Sequence, residues 1–278
     1  MTTLTFTALI ALSSVGAGLV GALTGLGGGI ILVPLLTLVF GVNVRYAAGA
    51  SLVSVIATSS GAAASYVRDG FANLRLGMLL EIATTLGAVV GAVLASHLST
   101  RTIELIFGGL LLYSAFRAAT TDADTRPAEA ADPIATRLRL DGTLPGAAGP
   151  QPYTVHRVPL GFGLMAIAGV LSGLLGVGSG AVKVLAMDQA MRLPLKVSTT
   201  TSNFMIGVTA AASAGVYLRR GYIDPVLAFP VVLGVLAGAL TGARLLPTVR
   251  ISVLRRVFGI AIAALAVEMI LKGAQGAG

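Results

Sequence analysis

Two glycine-rich stretches decide the fold: GLGGGIILVP at Gly25–Pro34 and GVGSGAVKVL at Gly176–Leu185. Each follows a long apolar run and opens a short one, Ile30–Phe40 or Ala181–Met191, which is long enough for only about half a bilayer. Clustered glycine breaks a helix, and unwound backbone at membrane depth is tolerated only inside protein or beside a water-filled cavity. These stretches therefore predict interrupted helices inside a membrane protein.

The composition also places the chain in a bilayer. Apolar residues make up 55% and charged residues 11%, whereas soluble domains carry roughly 25% charged residues. The net charge of +8 would suggest nucleic acid in a soluble protein, but here Arg and Lys mostly flank apolar runs, where they set topology. We expect a multi-pass protein of the cell membrane, with no nucleic-acid partner. Without cysteine there are no disulfides or thiolate metal sites, and we expect neither metal nor cofactor.

A shift of 151 residues aligns the second half of the chain with the first, and we call residues paired in this way repeat mates. About twenty of roughly a hundred ungapped positions are identical, among them Gly25/Gly176, Gly29/Gly180, Ser51/Ser202 and Tyr66/Tyr217. We therefore predict an all-α polytopic membrane protein of two homologous repeats, 1–119 and 158–272, joined by a polar linker at 120–157. Each repeat has about four spanning helices and one short broken or re-entrant half-helix.

The distribution of Lys and Arg favours inverted repeats. If the short runs count as crossings, thirteen basic residues fall on the linker side of the membrane and five on the other; if they do not, the division is ten to eight. The positive-inside rule then favours a cytoplasmic linker and both termini outside, although a re-entrant half-helix leaves parallel repeats open. In the linker, RLRLD (137–141) and QPYTV (151–155) alternate at period two, which is typical of a small hairpin; a flexible linker is the alternative.

The two glycine breaks are the first part of a candidate anion site. A helix that restarts after a break presents free N–H groups and the positive end of its dipole. Close-packing glycines or interfacial turns are the alternative, but recurrence in both halves favours the functional interpretation. The candidate positions are Gly25, Gly27, Gly28, Gly29, Gly176, Gly178, Ser179 and Gly180.

Charged and hydroxylic residues extend this candidate site. Lys183 at membrane depth costs on the order of 3 kcal/mol and needs a partner, which an anion would supply, unless the side chain snorkels to the interface. Arg45 and Lys196, which precede the next spans, would add charge, with interfacial anchoring as the alternative. Candidate hydrogen-bond donors, for which helix packing is the alternative, are Ser51, Thr200, Thr201, Ser202 and Asn203.

Few acidic residues lie within the apolar runs, and Glu81 is the candidate for proton coupling. Its repeat mate is Val232, and the alternative is a side chain that reaches the interface. His97 and His156 lie at a span end and in the linker, so neither is placed as a ligand or base.

The glycine stretches, the RYAAGASL and KVSTTTSNF span starts and the Y-x-R-x-G turns at 66–70 and 217–221 resemble the TauE/SafE sulfite exporter family. This family is also called the toluene-sulfonate uptake permeases, and the resemblance covers both halves. It implies an inner-membrane transporter for sulfite, sulfonates or related small organic anions, driven by an ion gradient rather than by a nucleotide. Members often carry a GGG-like motif in both halves, whereas Ser179 replaces the middle glycine of the second copy here.

We therefore expect a secondary transporter, an exporter of a small anion, coupled to protons or sodium. A non-transporting accessory protein is the alternative, and it would have no water-accessible cavity between Gly27 and Gly178. An intramembrane enzyme is a weaker alternative, because no spaced Ser/His or paired-acid constellation supports it. Substrate, direction, coupling ion and homo-oligomerisation stay open.

Overall fold

The computed structural model describes residues 3–24, 28–68, 70–120, 132–145, 149–245, 263–271 and 273–274. Most of these residues are helical. The first half contains helices α1 (Thr3–Thr24), α2 (Gly29–Pro34), α3 (Val44–Arg68), α4 (Leu74–Ala95) and α5 (Thr100–Thr120). The connecting segment contains α6 (Pro133–Arg137), β1 (Gly142–Leu144) and β2 (Gln151–Tyr153). The second half contains α7 (Val158–Leu175), α8 (Gly180–Leu185), α9 (Leu195–Arg219), α10 (Pro225–Leu245) and a helical stretch at 263–271.

Helix bounds in the two halves recur at the offset of the sequence repeat. The short helices α2 and α8 each continue into a π-helical turn, Leu35–Val39 and Ala186–Ala190, and these composite elements are 151 residues apart at both ends. The same offset relates both ends of α3 to those of α9, and the last residue of α1 to that of α7. Local structure thus follows the duplicated pattern of the sequence.

The most apolar helices form the outer layer of the bundle. Four helices are long and apolar enough to cross a membrane, at Thr5–Ala22, Leu74–Ala95, Val158–Leu175 and Pro225–Gly242, among the residues that the structure describes. They pack in pairs that join the halves, α1 with α10 and α4 with α7. The longer helices α3 and α9, which are less apolar, pack against each other. The polar spans are thereby placed inside, away from lipid.

Glycine brings the outer helices into backbone contact. A Cβ atom added at Gly87 or Gly91 of α4 would overlap the carbonyl oxygen of Ala166 or Val170 on α7. The repeat mates Gly238 and Gly242 on α10 approach α1 in the same way, at the carbonyl oxygens of Val15 and Leu19. Small residues let membrane helices approach this closely. These glycines are therefore a packing surface.

The first half-helix turns back alongside the helix that precedes it. Phe6, near the start of α1, makes an edge-to-face contact with Phe40 at 5.7 Å between ring centroids. At the other end of the half-helix, a Cβ atom on Gly28 would lie 3.5 Å from the carbonyl oxygen of Ala17 and 3.7 Å from Cα of Gly18. Because Gly28–Phe40 and Phe6–Gly18 contain the same number of residues, the half-helix runs antiparallel to α1 and returns to the end where α1 begins.

The second half-helix returns in the same way. The backbone N–H of His156, just before α7, donates to the carbonyl oxygen of Met191 at 3.1 Å. Met191 directly follows the π-helical turn, and its thioether also packs against the backbone of Gly161.

The connecting segment folds onto the membrane helices. Strand β1 pairs with β2 in antiparallel register, with Gly142 opposite Tyr153, so the predicted hairpin forms. Its first strand is not RLRLD, because Arg137 ends α6 and Arg139 adopts a left-handed turn with φ of 51°. The flexible-linker alternative is wrong for the described part of this segment, since Ala135, Leu140 and Val155 are buried in one cluster with residues of α4 and α7.

Asp132 caps two helices at once, and its removal should loosen this segment. One carboxylate oxygen accepts from the N–H of Ile134 and the other from the N–H of Val158, each at 2.8 Å. The bond from Val158 is the main reason that the pKa of Asp132 lies below its ordinary value of 3.8. Stabilisation is then full above that value and is lost as the pH falls through the lower folded-state pKa. We expect Asp132→Ala to cost about 1 kcal/mol at neutral pH.

Pepsin cleavage of the linker between about pH 5 and 3 measures this effect. In wild type the linker should be cut faster as the pH falls, because protonation of Asp132 weakens the two caps. In Asp132→Asn, which has no carboxylate to protonate at this position, the cleavage rate should change less with pH. Identical pH profiles for the two proteins would contradict the double cap.

Gly173 tests the glycine contact between α4 and α7. A Cβ atom there would overlap the carbonyl oxygen of Ala88, whereas a Cβ atom at Gly163 of the same helix meets nothing within 4 Å. Gly173→Ala should therefore lose about 1–3 kcal/mol, because the helices must separate. The control Gly163→Ala should lose nothing or gain up to about 1 kcal/mol of helix propensity. Thermal unfolding of the two variants in detergent measures the difference. Equal unfolding midpoints for Gly173→Ala and Gly163→Ala would contradict the contact.

Candidate functional site

The second helix break is a buried turn held in left-handed backbone conformations. Gly176, Gly178 and Ser179 have φ values of 70°, 69° and 45°, and the turn from 176 to 180 is buried throughout. For a residue with a side chain this conformation costs roughly 1–2 kcal/mol. Ser179 carries that strain at the position where the first stretch has glycine, and the residue is 3% exposed.

The two breaks contact each other. A Cβ atom on Gly29 would lie 3.1 Å from Cα of Val177 in the second break and 2.7 Å from the Ser51 hydroxyl oxygen. Gly178 approaches Val55 of α3, the helix that also carries Ser51. Gly28 begins the described part of the first break, whereas Gly25 and Gly27 lie outside the described residues.

Lys183 is buried beside the second break and does not snorkel to an interface. It lies one turn into α8, and its side chain has 0% exposure. Its Nζ atom donates to Oγ1 of Thr209 on α9 and lies 3.8 Å from Oε2 of Glu81 on α4. The lysine thus joins three helices through polar contacts in an apolar interior.

Glu81 points into the bundle rather than to the interface. Its Oε1 atom accepts hydrogen bonds from the hydroxyls of Thr209 at 2.6 Å and Thr85 at 3.0 Å. Its Oε2 atom is buried and has no hydrogen-bond partner. The two oxygens of one carboxylate are therefore held unequally, one firmly and one loosely.

Thr209 links these charges, and the sequence reasoning missed it. In the sequence nothing distinguishes this threonine within the small-residue run GVTAAAS. Its role depends on the packing of α9 against α4 and α8, which the sequence does not show. A signal for the charged pair did exist. Two opposite charges at membrane depth, each costly alone, are expected to meet.

Two candidate hydroxyls at the breaks are buried without hydrogen-bond partners, Ser51 and Ser179. The hydroxyl of Ser202 donates to the carbonyl oxygen of Gly180 at 3.3 Å, which places it on the restarting half-helix. Asn203 is also buried. Ser51, Ser179 and Ser202 therefore lie in or beside the two breaks.

The other candidates make their hydrogen bonds and cation–π contacts with residues outside the breaks. Arg45 and Lys196 do not precede their spans but belong to the first turns of α3 and α9. The Arg45 guanidinium donates to the carbonyl oxygen of Leu98 at 2.7 Å and lies 5.7 Å from the ring centroid of Tyr222. The Lys196 ammonium lies 4.0 Å from the ring centroid of Phe71, the repeat mate of Tyr222. Both basic residues therefore fasten one repeat to the other through cation–π contacts.

Thr200 and Thr201 hold the loop between α3 and α4. The Thr200 hydroxyl donates to the carbonyl oxygen of Phe71 at 2.8 Å, and that of Thr201 accepts from the N–H of Asn73 at 3.0 Å. Helix and loop packing accounts for these contacts, so we do not keep these two residues in the site.

Comparisons with known proteins agree with this architecture. The family model described as "Sulfite exporter TauE/SafE" matches residues 10–269. The "Probable membrane transporter protein YunE" of Bacillus subtilis (strain 168) is 28% identical over 248 residues, which cover 86% of this chain and 88% of that protein. A "Probable membrane transporter protein" of Xylella fastidiosa (strain 9a5c) is 28% identical over 260 residues, 91% of this chain and 92% of that protein.

No solved structure matches this chain. The family match, however, extends over both halves and the segment between them. This chain therefore belongs to the TauE/SafE sulfite exporter family and is a membrane transporter.

Proposed function

We propose that this protein is a secondary transporter that exports a small oxyanion, such as sulfite, a sulfonate or a related organic acid, across the bacterial inner membrane. The alternative functions are catalysis and a non-transporting accessory role. The observation that carries it is the buried, incompletely paired ammonium of Lys183 beside the contact between the two helix breaks.

The hydrogen bonding of Lys183 supports an anionic ligand. An ammonium group has three N–H donors, and among the described residues only Thr209 accepts one of them. Glu81 lies 3.8 Å away, which is beyond hydrogen-bond distance. A buried charge held this loosely is costly, and an oxyanion would supply both the missing acceptors and the opposite charge.

Neutral donors nearby support a small, singly charged substrate. The hydroxyls of Ser51 and Ser179 are buried at the breaks without partners, and leaving a buried hydroxyl unpaired costs about 1–3 kcal/mol. One ammonium and two hydroxyls suit a compact group such as SO3, whose three oxygens all accept hydrogen bonds. The description of the matched family as sulfite exporters agrees with that chemistry.

We also propose that the repeats, 1–119 and 158–272, are inverted, with the 120–157 linker in the cytoplasm and both termini outside. Because each half-helix returns to the end where its repeat begins, α3, α4 and α5 would make three crossings before the linker. An odd number starts the second repeat from the opposite side. Inverted repeats with the substrate at their interface are common in secondary transporters, where one repeat rocks against the other.

A flux screen in proteoliposomes tests the proposed function. Purified protein would be offered sulfite, sulfate, thiosulfate, methanesulfonate and p-toluenesulfonate, and we expect wild type to move at least one of them. Lys183→Ala should lose at least about tenfold of that flux, since a hydrogen bond to a charged group is worth about 1.5–3 kcal/mol. Asn203→Ala should reduce it as well.

Arg220→Gln is the matched control, because it removes one positive charge from an exposed position at the end of α9. It should keep wild-type flux. All variants would first be checked for a single folded peak in detergent. If correctly folded Lys183→Ala and Asn203→Ala retained full flux of every anion, the site would be wrong; if wild type moved none, the transport proposal itself would fail.

A further inference from the structure

We propose that the carboxylate of Glu81 and the transported anion compete for Lys183, so that each monovalent anion crosses together with one proton. This inference rests on the proposed function and deepens it by naming the coupling ion. It starts from the unequal hydrogen bonding of the two Glu81 oxygens.

The two carboxylate oxygens of Glu81 are held differently. Oε1 is fixed by the hydroxyls of Thr209 and Thr85, whereas Oε2 is buried, has no hydrogen-bond partner and lies 3.8 Å from the Lys183 ammonium. Oε2 is therefore the oxygen that a ligand of Lys183 would displace, and it is also the free position for a proton. Thr209 remains bonded to Oε1 in either case.

Charge balance then links the anion to the proton. Without substrate, Lys183 and Glu81 form a neutral pair. An anion bound to Lys183 would leave one uncompensated negative charge in the apolar interior, which is strongly unfavourable. A proton taken from bulk water onto Oε2 restores neutrality, so binding of either particle favours binding of the other.

The neighbouring elements offer few other charges for this role. The sequence of α7 contains no charged residue, and α9 has Lys196 and Arg219 only at its ends. On α4 the other charged residue is Arg75, at the start of the helix. Asp188 lies on the π-helical turn after α8, is buried and has interactions of its own.

The pair joins the two halves of the duplicated fold but is not itself duplicated. The repeat mates of Lys183 and Glu81 are Leu32 and Val232, whereas that of Thr209 is Thr58. A single ammonium and a single carboxylate therefore predict one anion and one proton in each transport cycle. For a monovalent anion this cotransport moves no net charge, so its direction is set by the sum of the anion and proton gradients.

The test measures both particles in the same vesicles. Proteoliposomes containing a trapped pH dye would be given methanesulfonate, p-toluenesulfonate and thiosulfate, whose charges stay fixed near neutral pH. For each sulfonate that wild type moves, we expect one proton per anion and no response to a clamped membrane potential. The apparent KM should rise by up to about tenfold per pH unit on the alkaline side.

Glu81→Gln replaces the carboxylate by a neutral mimic of its protonated form. Sulfonate movement should continue, but without protons, with a KM independent of pH and with a rate that now responds to membrane potential. Glu268→Gln makes the same substitution at an exposed position of the 263–271 helix and should keep wild-type coupling.

The wild-type stoichiometry decides the outcome even if Glu81→Gln fails to fold. Anion flux without protons, or coupling that persists in folded Glu81→Gln, would overturn the competition while leaving the proposed transport function intact. If wild type moved none of the three anions and none in the wider panel, the proposed function would fall first, and the coupling with it.

Discussion

The backbone contact between α4 and α7 determines where the buried charges of this protein lie. Gly87 and Gly91 on one helix, and Gly169 and Gly173 on the other, bring each backbone against carbonyl oxygens of its neighbour. Helix α4 carries Glu81, and α7 leads directly into the break that precedes Lys183. A carboxylate and an ammonium from distant parts of the sequence can therefore share Thr209 in an interior without water to solvate them.

The repeat-related contact between α1 and α10 has the same geometry without the charges. Helix α1 packs on α10 through Gly18, Gly238 and Gly242, which occupy the same places in the repeat. The duplicated sequence thus preserves what a membrane helix pair requires, small residues at the crossing. It does not preserve the chemistry, because Leu32 and Val232 stand where Lys183 and Glu81 stand in the other pair. The two helix pairs therefore share their backbone packing but not the buried charges.

The sequence predicted the elements better than the contacts. Half-helices, hairpin and a costly lysine follow from local patterns, such as run length, glycine clusters and one charge among apolar residues. The roles of Arg45 and Lys196 do not, because each depends on an aromatic ring in the other repeat. The prediction of a strand at RLRLD failed for a related reason. Its alternation suits a strand, but Asp132 caps a helix that begins just before it and ends at Arg137. Tertiary partners and caps outweighed the local pattern in each case.

Asn73 and its repeat mate Asp224 show how one position of the repeat can both cap a helix and bind the connecting segment. Each accepts a hydrogen bond from a backbone N–H at the start of the next helix, so each is a helix cap. An amide also has N–H donors, which a carboxylate lacks. The Nδ2 atom of Asn73 donates to the carbonyl oxygen of Leu140 at 2.7 Å and to the hydroxyl of Tyr153 at 3.0 Å. The asparagine can therefore keep the capping role and also bind the connecting segment to the end of α4, which a carboxylate could not do with the same acceptors.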